Sequence, residues 1–176
     1  MGYITLSYQK YVDTRTVLCY NEYDKGANNM IRFICGVPCS GKTTYRKKYF
    51  SETPYVDIYD FQRVLPEINV ETVLETYRLV IEKALLLAKE GDVIIEHTLL
   101  KRGRREDAIR ALREGGYDGE IHITFINPTK EVIIERVLSK LDKMKNPDAY
   151  VDNHLSILEL PQEDEGFTSI EIVKDW

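Results

Sequence analysis

The sequence has few cysteines, no long apolar run and no basic start leading into an apolar stretch. The three cysteines, Cys19, Cys35 and Cys39, are odd in number and lack the CxxC spacing of a metal site, which favours free thiols in a reducing cytoplasm. No apolar run approaches the roughly 18 residues of a membrane-spanning helix. The first residues, MGYITLSYQKYVD, do not resemble a secretory signal. We therefore expect a cytoplasmic protein with no membrane partner.

The chain carries a net charge of −5, but this charge is unevenly distributed. Residues 159–176 contain six acids and one base, so the other 158 residues balance at zero. The acidic composition therefore does not exclude an anionic substrate, because local clusters of positive charge decide that. A chain of 176 residues with 43% hydrophobic and 30% charged residues is typical of one folded domain with a small extra element.

Short apolar runs alternate with helical patterns from residue 30 onwards. The predicted strands are residues 30–35, 55–60, 92–97, 120–127 and 168–173, and the predicted helices begin near 41 and cover 70–89, 103–114 and 128–143. This alternation predicts an α/β fold, a three-layer sandwich with a mainly parallel five-stranded sheet. Ligands bind at the carboxyl ends of such strands, so the loops 36–41, 60–63 and 97–104 should converge.

Residues 1–29 precede this pattern and differ from it. Two short strands, 3–8 and 16–20, predict a β-hairpin extension in front of a domain at 30–176 with a lid around 129–150. Five of the 12 tyrosines lie in the first 23 residues. They could build an interface between copies of the chain, stack on bases, or pack on the domain.

Residues 36–43 match the phosphate-binding pattern GxxxxGK[ST]. Glycines allow a tight turn whose backbone N–H groups, with the following helix N-terminus, cradle phosphate. Lys42 would reach the outer phosphates, and the Thr43 hydroxyl would bind Mg²⁺. The motif thus predicts ATP or another nucleoside triphosphate, with Mg²⁺, as cofactors. The nucleotide-binding residues it predicts are Gly36, Val37, Pro38, Cys39, Ser40, Gly41, Lys42, Thr43 and Thr44.

Ionisable side chains follow two of the other predicted strands. Asp60 could act as a general base for an attacking hydroxyl, or cap the following helix, or do both. Arg63, three residues later, could hold an anionic substrate. Glu96 is the candidate carboxylate for the Mg²⁺ water shell, although alternation leaves open whether Glu96 or His97 faces the ligand.

Two basic segments complete the pattern. Residues 101–113 carry a net charge of +4, and Arg136, Lys140 and Lys143 share one helix face. The second segment suits a lid that neutralises charge on a transferred phosphoryl group. Both segments could also follow the phosphate backbone of a nucleic acid. Either segment could instead be a solvated face whose charges pair with nearby acids.

Together these segments resemble the phage-type polynucleotide 5′-hydroxyl kinases and their P-loop kinase relatives, which include the zeta-toxin-like kinases. The segments that carry the resemblance are GVPCSGKTT, IYDFQR, VIIEHTLLKRGRR, PTKEVIIERVLSK and EGFTSIEIV. The resemblance implies that Asp60 activates the acceptor hydroxyl and that Arg136 and Lys140 reach the triphosphate. The acceptor-binding residues it implies are Asp60, Arg63, His97, Thr98 and Arg102. His97 stands where this family usually has aspartate.

The sequence therefore predicts an ATP-dependent kinase that phosphorylates a hydroxyl of a nucleic acid, either a 5′-hydroxyl or one on a modified base. Its predicted catalytic residues are Asp60, Lys42, Arg136 and Lys140, and its predicted metal ligands are Thr43 and Glu96. A kinase of nucleosides, nucleotides or other metabolites is the alternative, because the phosphate loop does not distinguish acceptors. A nucleotide-dependent switch or binding subunit is a third interpretation.

Overall fold

A computed structural model describes residues 29–63, 69–140 and 144–176. Its five strands are β1 (Ile31–Cys35), β2 (Tyr55–Asp57), β3 (Val93–Glu96), β4 (Ile121–Ile126) and β5 (Ser169–Val173). They form one sheet in the order β2-β3-β1-β4-β5, and every pairing within it is parallel. The predicted fold class is confirmed. The hairpin expected within residues 1–29 lies outside the described residues, apart from Asn29.

The helices follow the strands in the expected alternation. They are α1 (Lys42–Tyr49), α2 (Ile58–Gln62), α3 (Val70–Leu87), α4 (Arg102–Glu114), α5 (Lys130–Lys140) and α6 (Pro147–Leu155), with a 3-10 turn at Glu163–Glu165. No helix of the described ranges combines the length and the apolar composition needed to cross a membrane.

The central strands β1, β3 and β4 are buried on both faces of the sheet, and alternate residues along them supply the two cores. Ile31, Phe33 and Cys35 of β1 point into the larger cluster, which includes buried residues of α3, α4, α5 and α6. Ile34 points the other way and packs with Tyr45 of α1. Because the central strands are covered on both sides, they read as continuous apolar runs rather than as alternating ones.

Two predicted elements differ from the observed ones. The strand expected at 55–60 ends at Asp57, because the Asp57 carboxylate accepts the Tyr59 N–H at 2.9 Å and starts α2. Asp60 therefore lies in a short helix and not at a strand end. Helix α6 was not predicted; Asn146 caps it by accepting the Ala149 N–H at 3.1 Å, and Pro147 occupies its first turn. The expected lid around 129–150 thus contains α5 and the start of α6.

Candidate phosphate-binding and phosphoryl-transfer site

The loop between β1 and α1 has the backbone of an anion nest. Gly36 and Gly41 have φ values of 145° and 105°, and Cys39 has a φ of 64°. A Cβ at Gly36 would overlap the carbonyl oxygen of Ile126, so only glycine fits there. Gly41 begins α1 without a side-chain cap, which leaves the first N–H groups of the helix free to bind an anion.

Lys42 lies against this loop and is almost fully buried. Its Nζ donates to the carbonyl oxygens of Gly36 at 3.0 Å and Val37 at 2.9 Å. Burial lowers the pKa of Lys42, and the nearby Glu96 carboxylate opposes that shift. Both present partners are neutral carbonyls, so a phosphate in the nest would give the ammonium group its first charged acceptor.

Thr43 and Glu96 meet at the carboxyl end of the sheet. The Thr43 hydroxyl donates to Glu96 Oε1, and Glu96 is 2% exposed. No cluster of three or more metal-binding side chains occurs within the described ranges, so no all-protein metal cage is present there. Mg²⁺ needs no such cage, because it keeps waters and phosphate oxygens alongside one or two hard protein oxygens. This oxygen pair beside the phosphate loop fits Mg²⁺.

The carboxylates at the end of β2 and in α2, Asp57 and Asp60, differ in their surroundings. Asp57 is half-buried, and desolvation raises its pKa, while the Tyr59 N–H that it accepts opposes the shift. Asp57 is the register partner of Glu96 in the sheet, which places it at the same carboxyl edge. Asp60 is exposed and lies 3.7 Å from Arg63 in an ion pair that is largely open to solvent. Asp57 was missed by sequence analysis because the predicted strand ran past it.

Glu96, the last residue of β3, and His97, which follows it, lie on opposite faces of the sheet, because successive side chains of an extended chain alternate between the two faces. Glu96 turns towards α1, whereas His97 turns towards α3, where its ring lies 5.6 Å from that of Tyr77. His97 Nδ1 accepts the Leu99 N–H at 3.2 Å, and its Nε2 has no hydrogen-bond partner among the described residues. The Thr98 carbonyl accepts the Gly36 N–H at 3.3 Å and ties this loop to the phosphate loop.

The buried imidazole of His97 should make folding sensitive to acid. Burial, reinforced by Lys42 and Arg104, lowers the pKa of His97 from 6.5 to about 3. Below pH 6.5 the unfolded chain therefore binds a proton at His97 that the folded chain does not bind. The contribution of neutral His97 to the free energy of unfolding is complete above pH 6.5 and is lost as the pH falls towards 3. Between about pH 7 and about pH 5 we expect a loss of roughly 2 kcal/mol, absent in His97→Gln. Urea unfolding of both proteins at the two pH values checks this, and an equal loss in both would contradict it.

Arg136 of α5 contacts the phosphate loop directly. Its Nη1 donates to the Ser40 carbonyl and its Nη2 to the Trp176 carbonyl, both at 2.5 Å. The Trp176 indole in turn donates to the Gly41 carbonyl at 3.3 Å. Lys140, one turn after Arg136, is exposed at the end of α5. The position of Trp176 on the loop had no signal in the sequence pattern.

Most arginines of the basic segment 101–113 are neutralised in the fold. Arg102 donates to Glu106 at 2.7 Å and to both carboxylate oxygens of Asp164, at 3.0 Å and 3.1 Å. Arg105 is fully buried and pairs with Glu165. The acidic end of the chain, residues 159–176, thus supplies a buried partner, and within the described ranges Lys101 and Arg104 form no ion pair.

Comparison with known proteins identifies the family and the fold of this chain. A family model described as an AAA domain matches residues 31–161, well over half of the chain, and the chain belongs to that family. Its fold is that of the P-loop kinases. A search of curated proteins gives no match.

Three solved structures illustrate the range of relatives with this fold. A gluconokinase from Sinorhizobium meliloti 1021 is 19% identical with a TM-score of 0.59, and the match covers 84% of this chain and 82% of that one. A chain of the Pnkp1/Rnl/Hen1 RNA repair complex is 16% identical with a TM-score of 0.62, and the match covers 78% of this chain and 47% of that one. The Mycobacterium tuberculosis APS kinase CysC, solved with AMPPNP and APS, is 16% identical with a TM-score of 0.54, and the match covers 82% of this chain and 88% of that one. Identities this low show a shared fold and no more.

Proposed function

We propose that this protein is an ATP-dependent kinase that transfers the γ-phosphoryl group to a hydroxyl of a nucleic acid. The observation that carries the proposal is the phosphate loop itself, where buried Lys42 and the Thr43–Glu96 pair lie together at the carboxyl edge of a parallel sheet. A triphosphate in the nest gains the backbone N–H groups, the α1 N-terminus and the Lys42 charge. Few other ligands use all three.

Three cations are assigned to the phosphates of ATP. Lys42 binds the outer phosphates, and Arg136 leaves the Ser40 carbonyl for a phosphoryl oxygen when the nucleotide enters. Lys140, on the same helix face, adds charge when α5 closes. Thr43 and Glu96 would hold Mg²⁺, directly or through its waters, and the ion when bound neutralises phosphate charge. These groups stabilise the negative charge on the group in transfer.

Asp60 is assigned to the acceptor. Its carboxylate accepts the proton of the acceptor hydroxyl, whose oxygen attacks the γ-phosphorus in line while ADP leaves with the bridging electron pair. Among the described residues, the exposed Asp60 carboxylate has one ion-pair contact, 3.7 Å to Arg63, which leaves both side chains accessible to an acceptor and its phosphate. Thr98, His97 and Arg102 are assigned to the surrounding acceptor surface. Arg102 would first have to leave its carboxylate partners, and the His97 ring its buried position beside Tyr77.

A kinase of small molecules is the second candidate. Two kinases of small molecules, the gluconokinase and the APS kinase, share the fold, and so does the RNA repair complex. The neutralised arginines of residues 101–113 also leave less positive charge for a nucleic-acid backbone than the sequence predicted. An assay of acceptors therefore distinguishes the two candidates.

Offering labelled ATP with separate acceptor pools tests the proposal. We expect label on 5′-hydroxyl oligonucleotides, DNA or RNA, and none with Lys42→Met, because losing that cation removes charge stabilisation worth roughly 10²-fold or more in rate. Label on nucleosides, nucleotides or sugars alone would favour the second candidate. No label on any pool, together with no nucleotide binding by calorimetry, would contradict kinase function altogether.

A further inference from the structure

The proposed function leaves one buried cation of the site unused. Arg46 lies on α1 one turn after Lys42, and it is 5% exposed. A buried charge is costly unless it is paired and hydrogen-bonded, so its partners show what its burial achieves.

Arg46 contacts the same carboxylate as Thr43. Its Nε donates to Glu96 Oε2 at 3.1 Å, while the Thr43 hydroxyl donates to Glu96 Oε1. Each carboxylate oxygen of Glu96 therefore has its own donor, and both donors come from α1. The rotation of the carboxylate about its last bond is fixed by this pair of contacts.

Tyr55, the first residue of β2, holds Arg46 from the other side. The guanidinium carbon lies 3.5 Å from the centre of the Tyr55 ring, a close cation–π contact. The guanidinium lies over this ring, so Arg46 contacts both an aromatic ring and a carboxylate. A lysine could keep the charge here but would lose both the planar stack and the directed Nε–H.

We propose that Arg46 is a positioning residue for the magnesium site. By donating to Glu96 Oε2, Arg46 keeps Glu96 Oε1 beside Thr43. The inference rests on the proposed function, because it takes the Thr43–Glu96 pair as the place where Mg²⁺ accompanies the nucleotide. Groups that orient a metal-binding carboxylate typically change metal affinity about 10- to 100-fold when they are removed. An ion pair that only stabilised the fold would leave metal affinity unchanged in the folded variant.

Calorimetric titration with ADP, in Mg²⁺ and in excess chelator, separates these two roles. The dissociation constant in chelator divided by the dissociation constant in Mg²⁺ measures how far Mg²⁺ strengthens ADP binding. This measurement needs no phosphate acceptor. In Arg46→Met we expect this ratio to fall about 10-fold or more, while the dissociation constant in chelator changes less than about 2-fold. Arg46→Lys should fall in between, because it keeps the charge.

Arg78→Met is the matched control, because Arg78 also forms ion pairs on a helix, with Glu75 and Glu82, but on an exposed surface. It should keep the wild-type ratio. A wild-type ratio in folded Arg46→Met would overturn the inference and leave the proposed function intact, and if that variant does not fold, the same ratio in Arg46→Lys overturns it. Absence of ADP binding to the wild type in both conditions would overturn the proposed function, and the inference with it.

Discussion

Asp60→Asn should abolish most phosphoryl transfer while nucleotide affinity stays within about 2-fold of the wild type. Asparagine has nearly the shape of aspartate but cannot accept the acceptor's proton, so a loss of roughly 10²- to 10⁴-fold in kcat is expected. Nucleotide affinity should be preserved because Asp60 is exposed on α2 and, within the described part of the chain, its ion pair is with Arg63 and not with the phosphate loop. Single-turnover transfer and calorimetry with ADP measure the two quantities.

Asp57→Asn is the comparison that makes this result specific. The asparagine side chain can still accept the Tyr59 N–H and begin α2, so the helix that carries Asp60 should persist. We expect Asp57→Asn to lose less than about 10-fold in transfer rate, well below the loss assigned to a general base. The opposite ranking would assign the proton to Asp57, whose carboxylate is the more buried of the two.

Arg105→Met should lower the free energy of unfolding by about 3–5 kcal/mol, because it leaves the buried Glu165 carboxylate without its cation. Arg105 donates to both Glu165 oxygens at 2.6 Å and 2.7 Å. Its Nη1 also donates to the carbonyls of Leu99 at 3.0 Å and Glu159 at 2.7 Å. The arginine therefore joins α4, the loop after β3 and the acidic end of the chain. Urea unfolding monitored by circular dichroism measures the change.

Two further variants show whether burial is the cause. Arg110→Met removes an arginine from the same helix whose ion pair with Asp107 is exposed, and it should cost less than about 1 kcal/mol. Arg105→Met combined with Glu165→Leu removes both buried charges and should cost less than the sum of the two single changes. Equal losses in Arg105→Met and Arg110→Met would show that the buried pair contributes no more than a surface pair.

The fold could be predicted because its signals are local. The apolar run of β1, the glycines at 36 and 41 and the helix after them occur within one short segment, and strand–helix alternation then indicates a parallel sheet. The end of β2 could not be predicted, because YVDIYD is compatible with a strand throughout. The hydrogen bond from the Tyr59 N–H to Asp57 ends the strand, and no spacing rule identifies it.

The partners of the basic residues were the least predictable part of the site. Arg102 and Arg105 belong to a segment with a net charge of +4, which favoured phosphate binding. In the structure their partners are Asp164 and Glu165, about 60 residues later in the chain. Pairing over such a separation depends on how α4 packs against the acidic end, and a one-dimensional charge count contains no information on it.

The sequence by itself determined the phosphate loop. A nest of backbone N–H groups needs glycine at fixed positions, and the pattern GxxxxGK[ST] places those glycines and the lysine that follows the second one. It also determined the order of strands and helices through the alternation of apolar runs and helical patterns. Only the tertiary structure decided that Glu96 faces Thr43 while His97 faces Tyr77, and that Arg46, which lies over the Tyr55 ring, donates to the Glu96 carboxylate. Those contacts join strands and helices that are distant in the chain, so they exist only once the sheet has fixed which side of each strand faces α1.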